Sequence, residues 1–153
     1  MSGADVISPE RLAELRADGW RLTNGHHADI GTTHTGCAMD LIAWQVSGET
    51  TDMPGCVHPI LARLVHRIND DALTTEDDRW LLVEQAGPIL VGSDCWPVHE
   101  VLWTVARAGR AGRTVAGFIA ALTAHGDYGA NLAGADLSGA DLSGADLAGA
   151  NLI

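Results

Sequence analysis

The chain has 153 residues, a net charge of −11 and nine basic residues, all of them arginine. This length fits one domain with a short appendage. The acidic balance argues against nucleic acid as a direct partner, because binding to phosphates depends on clustered cations. The three cysteines are an odd number without paired spacing, which favours reduced thiols over a disulfide scaffold.

The sequence gives no sign of export or of membrane insertion. Its first residues lack the basic start and the apolar run of a signal peptide. The longest nearly apolar stretch, 115–124, is too short to span a bilayer. We therefore expect a soluble, cytoplasmic protein without a membrane partner. The absence of lysine, beside abundant alanine, glycine, arginine and aspartate, is typical of a GC-rich genome.

Residues 1–126 are predicted to form an all-α domain that is long enough to bury a core of its own. Ser8 and Pro9 predict the start of a short helix, which Gly19 would end. The Asn24-Gly25 pair in the next segment is typical of a tight turn, so a small hairpin or an ordered loop is expected there.

Further helices are predicted from apolar periodicity and from capping residues. Gly48 would end the first of them, and Gly87-Pro88 would break the third. They are 35–46, a helix that starts at Pro59 with the apolar stripe Ile60, Leu61, Leu64, Val65 and Ile68, a helix from the Thr74/Thr75 cap to Gln85, then 98–108 and 114–125.

The last 24 residues repeat every five: a small residue, an acid or amide, Leu, a small residue and Gly. Neither a helix nor an ordinary strand has this period, so a repeating unit in space is expected. The units begin at Ala130, Ala135, Ala140, Ala145 and Ala150, and the last is incomplete. Ala130–Ile153 resembles the pentapeptide-repeat family, whose pattern is A(D/N)LXX.

That resemblance implies a mainly α protein with a short C-terminal right-handed quadrilateral β-helix coil at 127–153. In the family, four pentapeptides make one square coil. The small residues that open each unit would point inward with the leucines, and Asn131 and Asn151 would point outward with the aspartates. The implied interaction surface consists of Leu132, Leu137, Leu142, Leu147, Leu152, Asp136, Asp141 and Asp146.

A single coil of this length is predicted to be unstable alone. Burying five leucines contributes roughly 8–15 kcal/mol. Ordering the backbone of the 24 repeat residues costs on the order of 24–48 kcal/mol. Because solenoid coils are stable when stacked, the segment must be disordered, dock on the helical domain or stack on another chain. We expect a non-enzymatic interaction or assembly module that forms a homo-oligomer through this coil.

The pentapeptide-repeat family also includes proteins that protect DNA gyrase by imitating duplex DNA. This chain departs from them because it has about one coil, and because its acidic stripe is limited to Asp136, Asp141 and Asp146. An acidic DNA-mimic inhibitor of a topoisomerase is therefore one alternative to the assembly role.

A cluster of histidines and cysteines supports another alternative, a zinc-binding protein or a thiol enzyme. His34, Cys37, Cys56 and His58 could supply four ligands to one tetrahedral zinc ion. Cys37 with Asp40, or Cys56 with His58, could pair a thiolate with a base. Cys37 also falls on an apolar helix face, where a free cysteine acts as a small hydrophobe. Common catalytic motifs are absent, which favours a non-enzyme.

Arg107, Arg110 and Arg113 recur every three residues and could grip a phosphate or carboxylate. The intervening glycines weaken a helix there, so a solvated joint, or pairing with the acids at 76–78, is the alternative expectation. The block 36–71, with its Cys-Ala-Met-Asp and Pro-Gly-Cys-Val-His-Pro sequences, resembles a small helical domain of uncharacterised actinobacterial and phage proteins. That resemblance implies no activity.

Overall fold

The computed structural model describes residues 7–25, 29–110 and 114–125, and helix dominates in them. The predicted coil at 127–153 lies outside the described residues. The elements are α1 (Pro9–Ala17), β1 (Arg21–Leu22), α2 (Ile30–Thr33), β2 (Thr35–Gly36), α3 (Ala38–Ser47), α4 (Pro59–Asp70), α5 (Glu76–Leu81), a π-helical turn (Leu82–Ala86), α6 (Gly87–Leu90), a 3-10 turn (Ser93–Cys95), α7 (Val98–Arg110) and α8 (Val115–Thr123).

Several helix starts lie where the capping residues predicted them. The Ser8 hydroxyl accepts a hydrogen bond from the Arg11 amide, and Pro9 occupies the first turn of α1. Thr75 and Asp78 exchange hydrogen bonds with each other's backbone amides at the start of α5. Each of these side chains satisfies a backbone donor that the first helical turn leaves without a partner.

Helix α3 begins later than predicted, at Ala38, because Cys37 caps it. The Asp40 amide donates to the Cys37 sulfur over 3.4 Å, and the Asp40 carboxylate accepts from the Cys37 amide over 2.9 Å. Thr35 and Gly36 are drawn instead into strand β2. Gly48 ends the helix in a left-handed conformation, as predicted.

The segment after α1 does not form a hairpin. Strands β1 and β2 pair in parallel, with Arg21 opposite Thr35 and Leu22 opposite Gly36. The Asn24-Gly25 pair does turn the chain, with a φ of 78° at Gly25. The Gly25 amide donates to the Asp70 carboxylate over 2.7 Å, so this turn is held by α4 and not by a returning antiparallel strand.

The helix from Glu76 is not broken at Gly87-Pro88, contrary to the prediction. It widens into the π-helical turn and continues through α6 to Leu90. Proline lacks an amide and crowds the preceding turn, and a π turn absorbs that misfit locally. Gly87 is also closely packed, since a Cβ there would lie 3.0 Å from Ile7 Cδ1.

One hydrophobic cluster runs from Ile7 to Leu122 and includes residues of most helices. Helix α7 packs on α8, and the π-helical turn packs on α3 and α8. The predicted apolar stripe of α4 is confirmed, since all five of its residues are buried. None of the helices in the described ranges has the length and apolar character to cross a membrane.

The buried amide of Asn69 joins three parts of the chain. Its oxygen accepts a hydrogen bond from the Ala38 amide at the start of α3 over 3.0 Å. Its nitrogen donates to the Thr23 carbonyl over 3.0 Å and to the Asp70 carboxylate over 2.9 Å. The side chain is fully buried, so these partners replace the water that it has lost.

Glu76 joins β1 to α5. Its carboxylate accepts hydrogen bonds from Arg21 Nε over 2.9 Å, from the Leu22 amide over 3.3 Å and from Trp80 Nε1 over 3.2 Å. Partial burial raises the pKa of Glu76, but the hydrogen bonds from Arg21, Trp80 and Leu22 and the charge of Arg21 together hold it below its ordinary value.

We predict that Asn69→Ala lowers the free energy of unfolding by about 3 kcal/mol, because it leaves the buried Ala38 amide without its acceptor and removes the hydrogen bond to the Thr23 carbonyl. Urea unfolding followed by circular dichroism measures the change. Asn24→Ala, an exposed change of the same type, is the control and should stay within about 0.5 kcal/mol of the wild type. Equal midpoints for the two variants would contradict this role of Asn69.

We predict that the penalty of Glu76→Gln depends on pH. The folded-state pKa of Glu76 lies below its unfolded value, so its contribution is present above about pH 4.3 and is lost as pH falls through the folded pKa. The variant should therefore be less stable than the wild type at pH 7 and should approach it in acid. Unfolding curves at a series of pH values measure this, with exposed Glu49→Gln as the control. A penalty that is constant with pH would be evidence against the ionised contacts.

Candidate functional site

The predicted interaction surface, from Leu132 and Asp136 onward, lies outside the described residues. The structure does describe the helices that lead to it. Helix α8 ends at Thr123, and the described chain ends at His125. The geometry around α7 and α8 is therefore what the structure contributes to the candidate site.

His125 is fixed to the rest of the helical region by two contacts. Its Nδ1 lies 2.5 Å from Glu100 Oε1 of α7. Its ring stacks on Trp96, with centroids 4.1 Å apart and planes 11° apart. The Glu100 side chain is only 9% exposed, so its carboxylate needs a polar partner. This contact, which we call the His125 clasp, sets the point from which the chain continues toward the repeats.

Sequence reasoning missed the His125 clasp. Glu100 and His125 are 25 residues apart, and nothing in their spacing indicates that they meet. Trp96 is half-buried against the core and against the histidine ring.

A small apolar groove of about 190 Å³ lies between α7 and α8. We call it the α7–α8 groove, and it is lined by Arg107, Gly117, Ala120, Ala121 and Ala124. The Arg107 guanidinium lies over the Trp103 ring, 4.1 Å from its centroid. This i, i+4 spacing on a helix is a signal that the sequence could have given.

The structure tests part of what was predicted for Arg107, Arg110 and Arg113. The acids at the start of α5 form ion pairs with Arg16 and Arg21, not with Arg107. Within 7–25, 29–110 and 114–125, Arg107 forms no ion pair. Arg113 and the side chain of Arg110 lie outside the described residues, so a shared phosphate or carboxylate site stays a prediction.

A second groove, of about 300 Å³, lies between α1 and the helix that begins at Glu76. Leu12, Trp80 and Leu81 form its apolar part. The ion pair of Arg16 with Asp77 lies at its edge, and the Arg16 guanidinium is 5.5 Å from the Trp80 ring centroid. The charges of Arg16 and Asp77 are thus already paired with each other.

The four predicted zinc ligands each have other contacts. His34 stacks on Trp20, with centroids 4.4 Å apart. Cys37 caps α3, and His58 Nδ1 accepts a hydrogen bond from the Ile60 amide at the start of α4. Cys56 is half-buried against the core. Among the residues that the structure describes, no group of three or more His, Cys, Asp or Glu side chains is placed to hold a metal ion. Zinc binding by the four stays a prediction.

Neither cysteine of the proposed thiol pairs is activated. Burial and the neighbouring Asp40 carboxylate raise the pKa of Cys37 far above its ordinary value. Burial also raises the pKa of Cys56. Burial lowers the pKa of His58, although the charge of Asp94 opposes this change. A nucleophilic cysteine needs the opposite shift, toward the thiolate, so this environment disfavours the thiol-enzyme alternative.

We predict that a thiol reagent distinguishes the three cysteines. In the native protein, iodoacetamide should label exposed Cys95 first, half-buried Cys56 more slowly, and Cys37 only after unfolding. Mass spectrometry of timed samples, with a urea-unfolded sample as the control, gives the order. Labelling of native Cys37 ahead of Cys95 would instead indicate a reactive thiol.

Comparison with known proteins bears on the C-terminal segment. A family model described as Pentapeptide repeats (8 copies) matches residues 128–153. These 26 residues have room for about five repeats, fewer than the eight of the model. No curated protein and no solved structure significantly matches the chain. The resemblance of 36–71 to a small helical domain of actinobacterial and phage proteins is not confirmed by these comparisons. Residues 128–153 of this chain therefore carry pentapeptide repeats.

Proposed function

We propose that this protein is a non-enzymatic interaction or assembly module, and that its pentapeptide segment joins copies of the chain into a homo-oligomer. The family match at 128–153 is the observation that carries the proposal. The segment holds about five repeats, and so few cannot offset the entropy of their own ordering. Contacts outside the segment must supply the difference.

The contacts would be made between coils. Stacking one coil on another buries leucines at the coil ends and pairs backbone groups that a lone coil leaves without partners. Two identical coils that meet across a two-fold axis give a closed dimer, the commonest form of homo-oligomer. The aspartates at 136, 141 and 146 would lie at the rim, where repulsion limits wrong pairings.

The helical region would act as the base of this assembly. It has an extensive hydrophobic core within the described residues, from Ile7 to Leu122. The His125 clasp holds the end of α8 in a defined place, so the repeat segment starts from a rigid support. Pre-organisation of this kind lowers the entropic cost of association.

The chemistry of the described region favours binding over catalysis. The Cys37 and Cys56 thiols are held in their protonated form, and His58 has lost basicity through burial. In the larger groove, the charges of Arg16 and Asp77 are paired with each other. These features support an interaction role for the chain.

We predict that Leu142→Asp shifts the protein from oligomer to monomer, because it places a charge where the repeat pattern requires a buried leucine. Light scattering coupled to size exclusion measures the mass. Ser143→Asp adds the same charge at the next residue of the same repeat, outside the leucine positions, and should keep the oligomer. A wild-type monomer, or an unchanged Leu142→Asp oligomer, would overturn self-assembly through the segment.

A further inference from the structure

The α7–α8 groove lies close to the start of the repeat segment. Its last lining residue, Ala124, is followed directly by His125, which the clasp fixes against α7. The repeat match starts at residue 128. Three residue steps span at most about 10 Å, so the first repeat must begin within that distance of His125. The part of the groove from Gly117 to Ala124 extends over a similar length, about 10 Å.

The groove offers a partner an apolar surface of small side chains. The side chains that line it from α8 are small, which lets another backbone approach the helix closely. Ala120 is exposed, whereas Ala121 beneath it is buried in the core. The apolar floor is therefore continuous with the core of the helical region, and a leucine-bearing surface laid on it would extend that core.

The charge of the groove is complementary to the repeat segment. Arg107 lies at its edge without an ion pair in the part of the chain that the structure describes, and Trp103 holds its guanidinium in place. An arginine fixed in this way binds a carboxylate at little further cost in side-chain entropy. The repeat segment presents Asp136, Asp141 and Asp146 at the same position of successive repeats.

We propose that the α7–α8 groove binds this chain's own repeat segment, 128–153, with Arg107 in contact with one of its aspartates. This inference rests on the proposed function for one point, that the segment is an interaction element. One side of the coil is covered by the helical region, and the other remains for a second copy.

Other occupants fit the groove less well. Nucleic acid would meet a chain of net charge −11. Two copies meeting groove to groove would bring two Arg107 side chains together. The segment of the same chain is acidic, and the two-residue connection 126–127 after His125 holds it at a high effective concentration next to the groove.

Hydrogen exchange of the full-length protein tests the proposal. The amides of 128–153 are followed by mass spectrometry over a dilution series, with the mass measured in parallel by light scattering. Arg107→Glu removes the ion pair, and its matched control is Arg67→Glu on α4, an exposed arginine that does not line the groove. Ala120→Trp fills the groove, and its control is Ala116→Trp, at another exposed alanine of α8 outside the groove lining.

We expect protected amides in the wild-type segment at every concentration. Arg107→Glu should raise their exchange rate about tenfold, which corresponds to about 1.4 kcal/mol. Ala120→Trp should remove most of the protection, and both controls should behave as the wild type. A wild-type segment without protection, or equal protection in Arg107→Glu and Arg67→Glu, would overturn the proposal. Protection that is lost on dilution would show a segment bound from a second copy and would also overturn it.

These results separate the two proposals. A monomer whose segment is protected through Arg107 keeps the groove as the binding site and contradicts self-assembly. An oligomer whose protection is insensitive to both groove substitutions keeps assembly and contradicts the groove.

Discussion

The side chain of Asn69 is fully buried in α4, where it bonds to the start of α3 and to the strand segment after α1. Few side chains could replace it, because the position needs one acceptor and two donors in a fixed geometry. The Ala38 amide that it satisfies stands beside the Cys37 and Asp40 capping box, so α3 starts from one connected polar network. The packing of α3 against α4 and the π-helical turn follows from this start.

Glu76 has the corresponding role for the other half of the fold. It attaches β1 to the helix that runs on through the π-helical turn to Leu90. That helix packs against α8, and α8 packs on α7. The end of α8 is thereby tied to the core from Ile7 onward, and the His125 clasp extends the fixed structure by two residues beyond the helix. A repeat segment that starts from such a support needs less ordering than one that starts from a loose linker.

Local signals in the sequence predicted much of the helical fold. The caps at Ser8 and Thr75 and the apolar stripe of α4 depend on neighbouring residues, and the structure confirms them. The parallel pairing of β1 with β2 and the continuation past Pro88 depend on tertiary contacts. The Gly25 amide is taken by Asp70, and Gly87 packs against Ile7, neither of which periodicity can show.

The candidate site likewise has one part that the sequence predicted and one part that it could not predict. A period of five residues identifies the repeat segment, and the family match confirms it. The groove beside its start combines residues of two helices, and the Glu100 contact of His125 spans 25 positions. Such combinations come from packing and have no pattern in one dimension. Arg107 over Trp103 is the exception, because both lie on one helix face.

The central claim is that residues 128–153 assemble the protein. The most direct test compares the native mass of the full chain with that of a chain ending at Asp127, which keeps the whole described core. Light scattering over a range of concentrations gives both masses. The account predicts an oligomer for the full chain and a folded monomer for the shorter one. The same number of subunits for the two chains, whether both are monomeric or both are oligomeric, would contradict it.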